Sequence, residues 1–252
     1  AAALLVVHQT QAEGDEDDWD YSIVDNDQAA VSGPTSNLGT IGEPITALCP
    51  WHRDLMMFGC RSSLWLLSGN PRTSGLQQVS QKIGIVEAGA WCAGPQNELV
   101  FLSRDGLYIT DTTCLSCEPK PLSRGILPAE LQYISERMVK VHMEYDVESQ
   151  GICIELSHVN SRAGVSHWWF DLNSKTLWKQ QYPATKEPTA TAYVTSADAE
   201  EDGVLFCCRD GYVRRFRSCA ENDEGEAISN YVWIGPVPLG AAPGYEGERK
   251  TL

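Results

Sequence analysis

A short pattern occurs three times in this chain and constrains its fold more than any other feature. Residues 58–65 read Phe58-Gly-Cys-Arg61-Ser-Ser-Leu64-Trp65, residues 101–108 read Phe101-Leu-Ser-Arg104-Asp105-Gly106-Leu107-Tyr108, and residues 206–213 read Phe206-Cys-Cys-Arg209-Asp210-Gly211-Tyr212-Val213. Each is a short apolar run, a tight turn and a second apolar run. Asp-Gly between apolar runs signals a hairpin, because Gly tolerates the positive φ that such turns need. A looser fourth copy runs from Trp169 to Trp178. The first two copies lie 43 residues apart and the second and third 105 apart, which fits two periods of about 50 with an enlarged loop. Repeats of that length, rich in short strands, point to an all-β fold: a β-propeller of repeated four-stranded blades. At about 45–50 residues per blade the chain holds about five, with the set incomplete at both ends. No segment of 12 or more residues carries a helical period.

The units can be followed along the sequence. Residues 13–36, with Asp15-Glu16-Asp17-Asp18-Trp19-Asp20, read as an acidic surface loop. Residues 45–70 form the first clear unit, and Ile83-Gly-Ile-Val86 begins the second, which continues through Ala90-Trp-Cys92, Leu99–Leu102 and Leu107–Ile109. Residues 111–135 read as a connector in which Pro128 starts a short helical turn. The third unit contains Val141–Tyr145, Ile152–Ile154 and His167–Phe170; the fourth contains Thr191–Val194 and the Arg209-Asp210-Gly211 hairpin; Tyr231–Ile234 opens a fifth. We treat residues 1–252 as a single propeller domain, part of a longer protein.

Charge narrows the partners. The net charge is −15, from 34 acidic and 19 basic residues. Binding to duplex DNA through phosphates needs clustered Lys and Arg, so sequence-specific nucleic-acid recognition is not expected. Docking on anionic membranes is disfavoured for the same reason. The N-terminal apolar run, Ala1–Val7, is too short to span a bilayer and lacks the positive flank of a signal peptide. Nine cysteines, an odd number without module-like spacing, suggest free buried thiols made in a reducing cytoplasm.

Chemical motifs are sparse. Cys114-Leu-Ser-Cys117 has the spacing of half a zinc site, but no second cluster completes it, and a connector with two thiols is the simpler reading. The acidic run at 15–20 lacks the Gly and closing Glu of an EF-hand loop. None of the five histidines pairs at metal spacing, and His142 and His167, flanked by aromatics, read as structural. Glu144, Asp146 and Glu155 lie on one unit, where alternation of strand faces leaves their pairing open. The tryptophans in strand contexts suit packing between blades, with a carbohydrate platform as the sharper alternative. Arg104, Asp105, Gly106, Arg209, Asp210 and Gly211 are singled out as structural hairpin turns, with no catalytic, cofactor or metal role. No cofactor and no enzymatic activity are expected.

Residues 14–131 resemble a group of β-propeller proteins encoded among the tail and neck structural genes of tailed bacteriophages. The resemblance rests on Gly14-Asp15 through Asp18-Trp19-Asp20, Ile41-Gly-Glu-Pro-Ile-Thr-Ala-Leu48, Phe58-Gly-Cys60, Ser63-Leu-Trp-Leu-Leu67 and Gly69-Asn-Pro71. It continues through Ile83-Gly-Ile-Val86, Ala90-Trp-Cys92, Phe101-Leu-Ser103, Asp105-Gly-Leu-Tyr108, Leu122-Ser-Arg124, Leu127-Pro128 and Glu130-Leu131, and Tyr231-Val-Trp-Ile-Gly-Pro236 fits the later part of such sequences. What it implies is a virion component without an active site: a nozzle-like tail subunit forming a homo-oligomeric ring in the DNA ejection conduit. The partners implied are other copies of the chain and tail adaptor or fibre proteins, with assembly in the host cytoplasm. The alternative function is a glycan-binding or glycan-cleaving propeller at the cell surface.

Overall fold

The fold is described from a computed structural model. It covers strands within residues 4–9, 18–24 and 36–40, then 43–52, 55–69, 76–110, 118–123, 127–134, 138–159, 166–183, 185–197 and 202–217, and the pairs 222–223 and 226–227. The chain divides into two compact units, residues 1–216 and 217–252. In the second, the described elements are two short paired strands, Asn222–Asp223 and Glu226–Ala227.

The first unit is a succession of antiparallel, blade-like sheets in chain order. Strands β1 (Leu4–Gln9), β2 (Asp18–Val24) and β3 (Ser36–Thr40) form a three-stranded sheet. Four strands follow: β4 (Ile45–His52), β5 (Leu55–Cys60), β6 (Leu64–Ser68) and β7 (Leu76–Ser80). The next sheet comprises β8 (Trp91–Ala93), β9 (Leu99–Ser103), β10 (Gly106–Thr110) and β11 (Lys120–Pro121). A single helical turn, α1 (Ala129–Gln132), precedes β12 (Val139–Asp146), β13 (Gly151–His158), β14 (His167–Asp171) and β15 (Thr176–Gln180). Strands β16 (Pro188–Val194), β17 (Gly203–Cys208) and β18 (Val213–Arg215) complete the unit. First strands begin at Ile45, Trp91, Val139 and Pro188, a spacing of 46 to 49 residues. The four-stranded repeat is therefore real, and the sheets have the up-and-down order of propeller blades.

Two expectations change. The acidic stretch 13–36, read as a surface loop, carries β2, which pairs with β1 on one side and β3 on the other. Its acidic composition hid a period-two alternation, with Trp19, Tyr21 and Ile23 between Asp18, Asp20 and Ser22. The loose copy at Trp169–Trp178 is also out of phase. It is the hairpin between β14 and β15, third to fourth strand of its sheet, whereas the other three copies join second to third strands. The helical turn after Pro128 stands where the sequence placed it. Tyr231–Ile234 lies outside the described residues.

The core runs from sheet to sheet. Phe101, Leu107, Ile152, Ile154, Phe170 and their neighbours make one continuous buried cluster across the second, third and fourth sheets. The run Val141-His-Met-Glu-Tyr145 shows why: Val141, Met143 and Tyr145 alternate onto that cluster while His142 and Glu144 take the opposite face. The first strands lie side by side, with β12 between β8 and β16. Glu87 ties the third sheet's entry to β12: its carboxylate accepts from Gly89 N (3.0 Å), Val141 N (3.3 Å) and Lys140 Nζ (2.7 Å), while Met143 N donates to Gly89 O (3.1 Å). These hydrogen bonds draw the Glu87 carboxyl below its usual range against the opposing effect of burial.

A smaller cluster lies between the fourth and fifth sheets. Cys153, Val204, Phe206 and Cys208 are buried there beneath Trp169, Tyr182 and Phe216. Trp169 stacks on Phe216 with ring centroids 5.3 Å apart. Its indole closely approaches Gly151, where any Cβ would enter the ring's van der Waals envelope. Gly151 is therefore required by the close approach of the ring.

Candidate functional site

The predicted turn residues lie in hairpin turns, and the details differ between copies. Gly106 opens β10 opposite Ser103, leaving Arg104 and Asp105 as a two-residue loop. The Tyr108 hydroxyl donates to Asp105 Oδ2 (2.6 Å), and Leu107 N donates to Ser123 Oγ (2.8 Å). In the fifth sheet the loop is one residue longer: Cys208 N donates to Tyr212 O (2.9 Å), enclosing Arg209, Asp210 and Gly211. Gly211 takes φ +88°, the left-handed region that the extra residue demands. Asp210 accepts Arg214 in two parallel bonds of 2.8 and 2.7 Å, and this pairing holds its carboxyl below the usual range. Arg209 pairs with Glu187 at 3.5 Å. The two Asp-Gly pairs thus occupy the same place in two blades with different loop lengths.

Antiparallel topology puts second-to-third strand turns at one end of the blades and first-to-second strand turns at the other. The second end carries a cleft of about 430 Å³ lined by Ala93, Gly94, Pro95, Glu144, Tyr145, Val147, Gln150 and Tyr193. Three successive blades contribute: the C-terminal end of β8, the end of β12 with its following turn, and the end of β16. Turn chemistry fixes one wall. Asp146-Val-Glu-Ser-Gln150 and Asp171-Leu-Asn-Ser-Lys175 follow one design, an Asp accepting backbone N–H groups ahead of a left-handed residue. Gln150 has φ 52° and Lys175 φ 54°. The two turns meet where Asn173 Nδ2 donates to Gln150 Oε1 (3.1 Å).

Glu144 dominates the electrostatics of the cleft. Partial burial pushes its carboxyl up to about 7, offset in part by the backbone N–H of Tyr193. Glu144, Asp146, Cys153 and Glu155 share one face of the fourth sheet, since Glu144 pairs opposite Cys153 and His142 opposite Glu155. The pattern was visible as His142-x-Glu144-x-Asp146, titratable groups at period two inside a strand whose other face is core. Without the neighbouring blade it gave no reason to single out Glu144.

Away from the cleft, Glu155 and His167 form a contact through Oε2 and Nδ1, almost entirely removed from solvent. Tyr182 meets the imidazole edge-on at 5.2 Å. Burial raises the Glu155 carboxyl, and its contact with His167 works against that rise. Both residues belong to the fourth sheet, on β13 and β14, and Tyr182, which packs against the imidazole, also meets Phe206 of the fifth sheet edge-on.

Cysteine placement follows strand alternation. Cys49, Cys60, Cys92, Cys153, Cys207 and Cys208 are free. Cys207, expected to be buried, is exposed, while the next residue, Cys208, is buried. Burial raises the thiol pKa of Cys60 to about 11 and those of Cys49, Cys92 and Cys153 further. Cys114, Cys117 and Cys219 lie outside the described residues, as does the side-chain structure of the run 15–20. Among the described residues no group of three or more His, Cys, Asp or Glu is placed to hold a metal.

No family model matches this chain. No curated protein matches it either. A solved structure, the extracellular domain of a putative one-component system from B. thetaiotaomicron, is similar at 10% identity with a TM-score of 0.41. The alignment covers 86% of this chain and 28% of that one, so this chain spans about a quarter of its length.

Proposed function

We propose that this chain is a propeller subunit of a bacteriophage tail, assembled into a nozzle-like homo-oligomeric ring that forms part of the DNA ejection conduit. The observation that carries the reading is the ordered run of tail-protein-like segments together with where they fall. Ile45–Leu48, Phe58–Cys60, Ser63–Leu67, Ala90–Cys92, Phe101–Ser103 and Asp105–Tyr108 lie on β4, β5, β6, β8, β9, β10 and their turns. The segments that carry the resemblance fall on two successive blade-like sheets.

The physical properties suit that role. A wall along which DNA slides must not hold it, and a net charge of −15 repels the polymer. The partners in this reading are further copies of the chain and tail adaptor or fibre proteins. Assembly in the host cytoplasm matches the six thiols that are free among the described residues. No helix among the described residues is long and apolar enough to cross a membrane. The glycan reading would call for exposed tryptophan beside paired carboxylates. Trp178 is exposed, but its indole donates to Thr176 Oγ1 (2.8 Å), and the aromatic residues of the cleft are tyrosines beside the single carboxyl of Glu144.

The test is labelling of the assembled particle. A peptide tag on the chain, detected by gold-conjugated antibody in electron micrographs, is expected to mark the distal end of the tail. Absence of the chain from purified infectious particles would contradict the proposal.

A further inference from the structure

The cleft at the ends of β8, β12 and β16 has a chemistry that an inert conduit wall does not require. Its carboxyl, Glu144, is half-buried and receives one backbone N–H, from Tyr193. No Lys, Arg or His stands among its lining residues. On its own sheet face Glu144 is flanked by His142 and paired opposite the thiol of Cys153. Glu98, in the turn after β8, and Asp146, at the end of β12, both act on Tyr145. Cys92 on β8 feels the Glu144 charge, and Tyr193 comes from β16. Arg215, on β18, is engaged with Glu148 at 3.9 Å. The cleft thus holds a costly, partly desolvated carboxylate with no basic side chain in its lining.

Its walls match one class of ligand. Ala93, Pro95 and Val147 offer apolar surface, and the partly exposed Tyr193 offers a ring whose face attracts cations. A volume of about 430 Å³ lies within the range of small-molecule sites. A metal ion would need several oxygen ligands, and the lining supplies one carboxylate and one amide side chain, from Gln150. An ammonium group on a short hydrocarbon chain satisfies the carboxylate with one charge and covers the apolar walls with its methylenes.

We propose that this cleft binds an alkylammonium group, with Glu144 as counter-ion and Tyr145, Tyr193, Pro95 and Val147 as its walls. The group comes either from a free amine or from the lysine side chain of a neighbouring protein, and the two sources share the same chemistry. Binding requires the ionised carboxylate, so it competes with the proton on Glu144.

The experiment follows the Glu144 carboxyl by carbon-13 NMR in the full chain, with glutamate labelled at the side-chain carboxyl and Glu144→Gln to assign the signal. The probes are n-butylammonium, 1,4-diaminobutane and Nα-acetyl-lysine methylamide, with sodium at equal ionic strength as the control. Saturable shifts are expected with the amines, together with a lower titration midpoint for Glu144. A group titrating near 7 gives an affinity about tenfold higher at pH 8 than at pH 6. Tighter binding of the diamine points to a free amine, and tighter binding of the lysine derivative to a side chain. Tyr193→Ala, a change at a partly exposed position, is expected to weaken the amines severalfold while leaving the sheet signals unchanged. The proposal is overturned if the amines give no saturable shift, if sodium reproduces it, or if the amine affinity measured by calorimetry is the same in Glu144→Gln.

Discussion

At the scale of single residues, the fold depends on a few side chains that have no freedom. Gly151 is one, because the Trp169 indole occupies the space of a Cβ. Gly151→Ala is expected to cost about 2 kcal/mol or more in denaturant unfolding, as overpacking of a tight contact does. The variant Gly151→Ala with Trp169→Leu is expected to recover part of the loss, and equal losses in the single and double variants would show that the ring is not the obstacle. The buried Glu155–His167 pair is a second such point. His167→Ala is expected to cost about 3 kcal/mol, because it leaves a buried carboxyl without its partner. In a double-mutant cycle, His167→Ala with Glu155→Ala should cost clearly less than the two single losses together. Thiol reactivity provides a third check. Cys207 is exposed and Cys208 buried, so Cys207→Ser should remove one rapidly reacting thiol from the native protein, and Cys208→Ser should remove none. None of these assignments was legible in sequence. Alternation showed that Cys207 and Cys208 face opposite ways, but which way depends on the neighbouring blade.

At the scale of elements, the repeated turns were legible and their loop lengths were not. Phe-x-x-Arg marked three hairpins that join the second and third strands of their sheets, because a tight turn between apolar runs is encoded locally. Whether Gly pairs in the strand, as Gly106 does, or turns at positive φ, as Gly211 does, depends on where the partner strand resumes pairing. Strand β2 was missed for the opposite reason: its sequence is so acidic that composition outweighed its alternation. The cleft was illegible because three strands from three blades build it, nearly 50 residues apart in sequence. Its one titratable wall leads to a pH prediction. Glu144 titrates higher in the folded chain, about 7, than its ordinary value of 4.5, so the folded state holds that proton more tightly. The contribution to stability is full below about pH 4.5 and is lost as the pH rises through about 7. Glu144→Gln should therefore gain stability relative to the parent chain between pH 4.5 and pH 8, as read from unfolding midpoints. A constant difference across that range would contradict the raised carboxyl.

At the scale of the whole molecule, the chain presents evenly spaced blade-like sheets and a strong negative charge. The proposed role as a conduit wall requires that this charge repel DNA. Fluorescence anisotropy with a labelled duplex is expected to show no binding at physiological salt. Tight binding there would end the idea of a passive wall. The sequence pointed to repeated blades because a period near 48 residues survives large differences in loop length. The assembly is harder to read, because contacts between copies leave no local pattern. The most direct measurement of the proposed role is a symmetry-resolved electron cryomicroscopy reconstruction of the tail of the phage particle proposed to carry this chain. The account predicts a ring of identical copies at the distal end, each with blades spaced as Ile45, Trp91, Val139 and Pro188 begin them, around an open axial channel. A reconstruction whose tail contains no copy of this chain, or holds it only in peripheral fibres, would contradict it.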